Sequence, residues 1–93
     1  MARVTLNMPL LTKLTGAKRL HADGRSVTDV LEYLDNEYPG FKERLLKDDG
    51  SLQGFVLLTA KYEGESSSRI IKDPQDTRTG LLELSILPVP HGG

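Results

Sequence analysis

The chain contains no cysteine, which excludes disulfides, thiolate metal sites and a cysteine nucleophile on this polypeptide. It has two histidines, His21 and His91, too few for a protein-only zinc site without carboxylate help at a recognisable spacing. Charge of one sign is also lacking. Twelve basic and 13 acidic residues leave a formal net charge of −1, so nothing electrostatic recommends nucleic acid or a membrane surface as partner. Lys42, Arg44 and Lys47 are offset by Glu43, Asp48 and Asp49 and read as a solvated face. No apolar run is long enough for a transmembrane helix, and Met1-Ala2-Arg3 leads into a strand pattern without a signal peptide, so a cytoplasmic location is expected. There is no internal repeat, no Walker A spacing and no glycine-rich dinucleotide fingerprint; a nucleotide used by this protein is held by another chain. No Ser-His-Asp arrangement can be assembled around the Ser66-Ser67-Ser68 run, and neither Asp48-Asp49 nor Asp73 with Asp76 has EF-hand spacing.

What is present suits one domain with a modest core, as expected for 93 residues. Val4, Leu6 and Met8 alternate with Arg3, Thr5 and Asn7, a first strand that Pro9 ends. Lys18 to Ala22 predicts a second strand, joined to the first by a long leucine-rich loop holding Leu10, Leu11 and Leu14 and the Thr15-Gly16 turn. Ser26 with Asp29 three residues on is a capping box. Val27, Val30, Leu31, Leu34 and Tyr38 follow at helical spacing until Tyr38-Pro39-Gly40 stops the helix. Phe41, Leu45 and Leu46 suggest a short helical turn, Phe55 to Tyr62 a strand, and Arg69-Ile70-Ile71 a short edge strand. One main helix among several short strands predicts an α+β fold with the helix on one face of a mixed sheet of four to five strands.

The end of the sequence is the stretch with functional content. Leu82, Leu84 and Ile86 alternate with Glu83 and Ser85, predicting a half-buried last strand. It runs into Leu87-Pro88-Val89-Pro90-His91-Gly92-Gly93. Pro88 and Pro90 fix an extended arm and push the residues before them out of the helical region. Gly92 and Gly93 carry no Cβ, so these peptides fit a slot closed to any side chain.

These residues, Ile86-Leu87-Pro88 and Gly92-Gly93 behind a strand, resemble the ThiS/MoaD-type ubiquitin-like sulfur carriers. The middle segment with Tyr38-Pro39-Gly40-Phe41 and Glu43-Arg44-Leu45 is more similar to the longer carriers of the cysteine-biosynthesis type than to the short thiamin carriers. Departures from the family pattern are Ala60-Lys61, Arg78-Thr79-Gly80 and His91 before the diglycine. The resemblance implies a ubiquitin-like β-grasp fold over residues 1–87, with the first and last strands parallel at the sheet centre, and a flexible extended tail over residues 88–93. It implies a co-substrate and not an enzyme. A carboxylate with an ordinary pKa of about 3.3 to 3.7 is ionised at neutral pH and a poor electrophile. In such families an E1-like partner uses ATP and magnesium to adenylate the terminal glycine, here Gly93. A sulfur donor then replaces AMP, and the resulting thiocarboxylate delivers sulfur to a biosynthetic enzyme making cysteine, molybdopterin, thiamin or a specialised metabolite. Pro88, Val89, Pro90, His91 and Gly92 would thread into the partner. No cofactor is expected on this chain.

Strand alternation puts Val56, Leu58 and Ala60 toward the core, so Phe55 and Leu57 face the other way. With Leu87 at the root of the arm they form either a patch that contacts the partner or a surface covered by the Leu10–Leu14 loop. Two other functions fit the same residues: a ubiquitin-like modifier joined to lysines through Gly93, and a plain interaction module.

Overall fold

The computed structural model describes residues 1–90. Eight elements follow in order: β1 (Ala2–Leu6), α1 (Pro9–Thr15), β2 (Arg19–Ala22), α2 (Val27–Glu37), α3 (Phe41–Leu45), β3 (Val56–Tyr62), β4 (Arg69–Ile71) and β5 (Leu81–Pro88). The strands make one mixed sheet in the order β2-β1-β5-β3-β4. β1 and β5 run parallel at its centre, with Val4 opposite Leu84 and Leu6 opposite Ile86. The hairpins β1–β2 and β3–β4 are antiparallel and flank that pair. This is the β-grasp arrangement expected from the sequence.

Alternation decides which face of the sheet is buried. Val4, Leu6, Val56, Leu58, Ala60, Leu84 and Ile86 point to one side and are buried. The main helix supplies the opposite wall through Val27, Val30, Leu31 and Leu34. Each such side chain contributes about 1.5–3 kcal/mol when fully removed from water. The helix begins where the capping box predicts: the Ser26 hydroxyl accepts from the Asp29 N–H at 3.2 Å. It ends at Tyr38, whose N–H still reaches the Leu34 carbonyl at 2.8 Å before Pro39-Gly40 turns the chain. α3 closes the core with Phe41 and Leu45.

Two local expectations are corrected. The leucine-rich segment after the first strand is a helix. Pro9 sits at its first turn, where a missing N–H costs nothing, and Gly16 (φ 75°) ends it with its N–H on the Thr12 carbonyl. α1 packs against α3 and sinks Leu11 into the core, so the segment lies on the buried side of the sheet. The second correction is in the last strand. Leu84 and Ile86 are buried as predicted, but Leu82 is exposed and Leu81 is buried in its place. The register passes from Lys61 opposite Glu83 to Tyr62 opposite Leu81, so Leu82 is the extra residue of a β-bulge that shifts the alternation by one.

The strand also runs further than the expected boundary at Leu87. Pro88 is paired with Val56, and the Val89 N–H donates to the Phe55 carbonyl at 2.9 Å. Along a strand, the polar groups of successive residues point to opposite neighbours. Ile86 bonds toward β1, as its carbonyl accepts from the Asn7 N–H, so Pro88 presents its donorless nitrogen to the same side. β1 has already turned into α1 there. Proline therefore costs the ladder nothing at this position.

Candidate functional site

The arm leaves from the centre of the sheet. β5 is held on one side by β1 and on the other by β3, so the last described residues, Pro88, Val89 and Pro90, project from the best-braced strand of the molecule and are exposed. Val89 is still tied to Phe55 through its N–H; beyond it, Pro90 has no N–H to offer. His91, Gly92 and Gly93, the proposed reactive end, lie outside the described residues.

The three apolar residues expected beside the arm are brought together. Leu57 and Leu87 are direct cross-strand partners on the open face of the sheet, both half-buried. Phe55 lies two residues before Leu57 and is 47% exposed. The helix α1, which the sequence left as a possible cover, sits on the other side of the sheet. Sequence reasoning did not include Ile70, which faces Thr59 across β3 and β4 and is 60% exposed. On the open face it is a diagonal neighbour of Leu57. The alternation Arg69-Ile70-Ile71, with Ile71 buried, carried that signal. Val89, 42% exposed, adds an apolar group at the start of the arm. Together they form an apolar patch at the end of the sheet from which the arm departs.

The far end of the sheet is polar. There the Tyr62 ring lies under the Arg78 guanidinium at 4.4 Å. Arg69 donates to the Glu65 carboxylate, which Arg78 approaches at 3.7 Å. The Arg69 hydrogen bond holds the Glu65 carboxyl below its ordinary value, while burial raises the Tyr62 hydroxyl above its own. This cluster pins the 72–80 loop to the β3–β4 turn at the opposite end from the arm. Among the described residues, no group of three or more His, Asp or Glu could hold a metal ion. No helix among them is long and apolar enough to cross a membrane.

A central last strand that carries an extended arm past an apolar patch is the layout of a ubiquitin-fold protein. No protein-family model matches the chain, and no curated protein matches it in sequence. Solved structures do match. CysO of Mycobacterium tuberculosis is 26% identical, with a TM-score of 0.65 over 94% of this chain and 99% of that one. The Amycolatopsis orientalis BexX/CysO complex contains a chain that is 25% identical, with a TM-score of 0.63 over 97% and 99%. Small archaeal modifier protein 1 of Methanosarcina acetivorans is 25% identical, with a TM-score of 0.59 over 100% and 98%. The chain has the fold and layout of the ThiS/MoaD-type ubiquitin-like sulfur carriers, and its structural neighbours, CysO and small archaeal modifier protein 1, are small carrier proteins and not enzymes.

Proposed function

We propose that this protein is a sulfur carrier whose Gly93 carboxylate is adenylated by an E1-like enzyme and converted to a thiocarboxylate. The observation that carries the reading is the position of β5. It is braced on both sides, so an arm leaving it has a rigid base, and the sequence beyond Pro90 narrows to Gly92-Gly93. ATP and magnesium belong to the partner, since no phosphate-binding loop is present in this sequence. Phe55, Leu57 and Leu87 contact that enzyme beside the arm, while the arm, from Pro88 to Gly93, threads into its active site. Charged with sulfur, the tail then serves a second enzyme that accepts it. The chain is a co-substrate in both encounters and works in the cytoplasm, where reduced sulfur persists. That CysO of Amycolatopsis orientalis is found in complex with BexX supports a life spent docking on partner enzymes.

The test is intact-protein mass spectrometry after incubation with an E1-like adenylating enzyme, ATP, magnesium and a sulfide donor. Replacement of one terminal oxygen by sulfur is expected, and a chain ending at His91 must stay unchanged. Sulfur on that shortened chain would sink the reading. The neighbour named small archaeal modifier protein 1 supports a second use of the same activated end, transfer to lysine amines. Lysine-linked adducts in lysates that disappear when Gly93 is removed would establish it.

A further inference from the structure

The open face of the sheet has a second half. Register places His21, Arg3, Glu83 and Lys61 in one row across β2, β1, β5 and β3, and Arg19, Thr5, Ser85 and Thr59 in the next. Leu87 and Leu57 occupy the row nearest the arm. The middle row is the short one: Thr5 and Ser85 floor a trough of about 490 Å³ walled by Arg3, Arg19, His21 and Glu83.

Charge is spread unevenly over the strands of the open face and the main helix. The open face carries Arg3, Arg19, Lys61 and His21 against the single carboxylate of Glu83, although the chain as a whole is slightly acidic. The main helix on the other side carries Asp29, Glu32, Asp35 and Glu37 and no basic residue. Arg3 is engaged by Glu83 at 2.5 Å, whereas Arg19 has no ion-pair partner among the described residues. Arginine above a floor of hydroxyls presents several donors converging on one place and few competing acceptors, which suits a carboxylate.

We propose that this trough seats an acidic, extended segment of a partner protein, its carboxylate on Arg19 with Thr5 and Ser85 donating from below. Apolar side chains of the same segment meet Leu57 and Leu87 one row away. Glu83 disfavours a polyphosphate backbone, and no Phe, Tyr or Trp lines the trough as a platform for bases, so a protein fits better than a nucleic acid. The inference rests on the proposed function only in giving the partner of the apolar patch a charge; its test leaves the tail chemistry aside.

The probe is a short capped peptide repeating Glu-Ser-Leu-Ser, which when extended puts glutamate and leucine on one face, titrated into the ¹⁵N-labelled protein; a glutamine–leucine peptide with Gln in place of each Glu is the control. Saturable amide shifts at Thr5, Arg19, His21 and Ser85 are expected, weakening as salt is raised. Arg19→Glu should weaken binding by about tenfold or more without changing the thermal midpoint, and Arg3→Gln should weaken it less. Equal shifts from the glutamine–leucine peptide, shifts centred elsewhere, undiminished binding by Arg19→Glu, or tighter binding of a single-stranded oligothymidylate at the same residues would each overturn the proposal. Peptide binding is measured without adenylation, so a failure here leaves the sulfur-carrier reading untouched, and a failure of adenylation leaves this surface standing.

Discussion

Leu57 and Leu87 stand directly opposite each other on the open face of β3 and β5. A cross-strand aliphatic pair contributes roughly 0.2–1 kcal/mol to a sheet. The same pair, at the foot of the arm, belongs to the proposed contact with the activating enzyme. Leu57→Asp is therefore expected to weaken productive encounter with the activating enzyme by about tenfold or more, read as a rise in KM for the carrier. Its cost to the fold should stay near 1 kcal/mol. Glu43→Gln, an exposed change in α3 on the other side of the sheet, should leave KM unchanged.

The bulge at Leu82 separates two neighbouring leucines. Leu81→Ala removes a buried side chain and should cost about 2–5 kcal/mol. Leu82→Ala, at a site 37% exposed, should cost about 0.5 kcal/mol or less. Simple alternation with Leu84 and Ile86 would reverse that order, so urea midpoints of the two variants test the bulge directly.

Gly24 and Gly64 both hold positive φ, at 135° and 81°, yet differ in surroundings. A Cβ at Gly24 would lie 2.7 Å from the Asp29 Cβ and 2.9 Å from the Val30 nitrogen, whereas one at Gly64 meets nothing within 4 Å. Gly64→Ala should cost about 1 kcal/mol for the left-handed backbone alone. Gly24→Ala should cost on the order of 3 kcal/mol, because the start of the main helix must shift as well. Thermal midpoints of the two variants give the comparison.

Acid should act on the far end of the sheet. The Glu65 carboxyl is held below its ordinary value of 4.5, mainly by the Arg69 hydrogen bond. A carboxyl depressed in the folded state contributes stability that is full above the unfolded value and fades as pH falls through the folded one. Urea midpoints measured from about pH 7 down to about pH 2 should decline across that acid window, and Arg69→Gln should flatten the decline. A slope unchanged by Arg69→Gln would remove Glu65 from the account.

Much of the architecture was legible because its signals were local. Ser26 with Asp29, the 3.6-residue spacing from Val27 to Leu34, and the strict alternation from Val56 to Tyr62 each specify one element with little help from the rest of the chain. The α1 helix was harder. It has only seven residues, too few for a period to stand out, and its evidence was positional: proline at the first turn and glycine just past the last. The phase slip at Leu82 was not legible, because three leucines and an isoleucine within six residues satisfy either phase until the partner strand selects one. At the candidate site, the outward pair of Phe55 and Leu57 followed from alternation. The hydroxyl-floored trough did not, since Thr5, Arg19 and Ser85 come from three strands and only register aligns them.

The central place of β5 also bears on how the molecule is made. β1 and β3 do not touch each other in the sheet; each meets only β5 and its own hairpin partner. A nascent chain on the ribosome, up to about Gly80, therefore holds two hairpins and three helices with no strand to join them. The sheet can close only when the segment bearing the arm has emerged from the exit tunnel, so translation that aborts early yields no closed sheet to compete for the proposed partner.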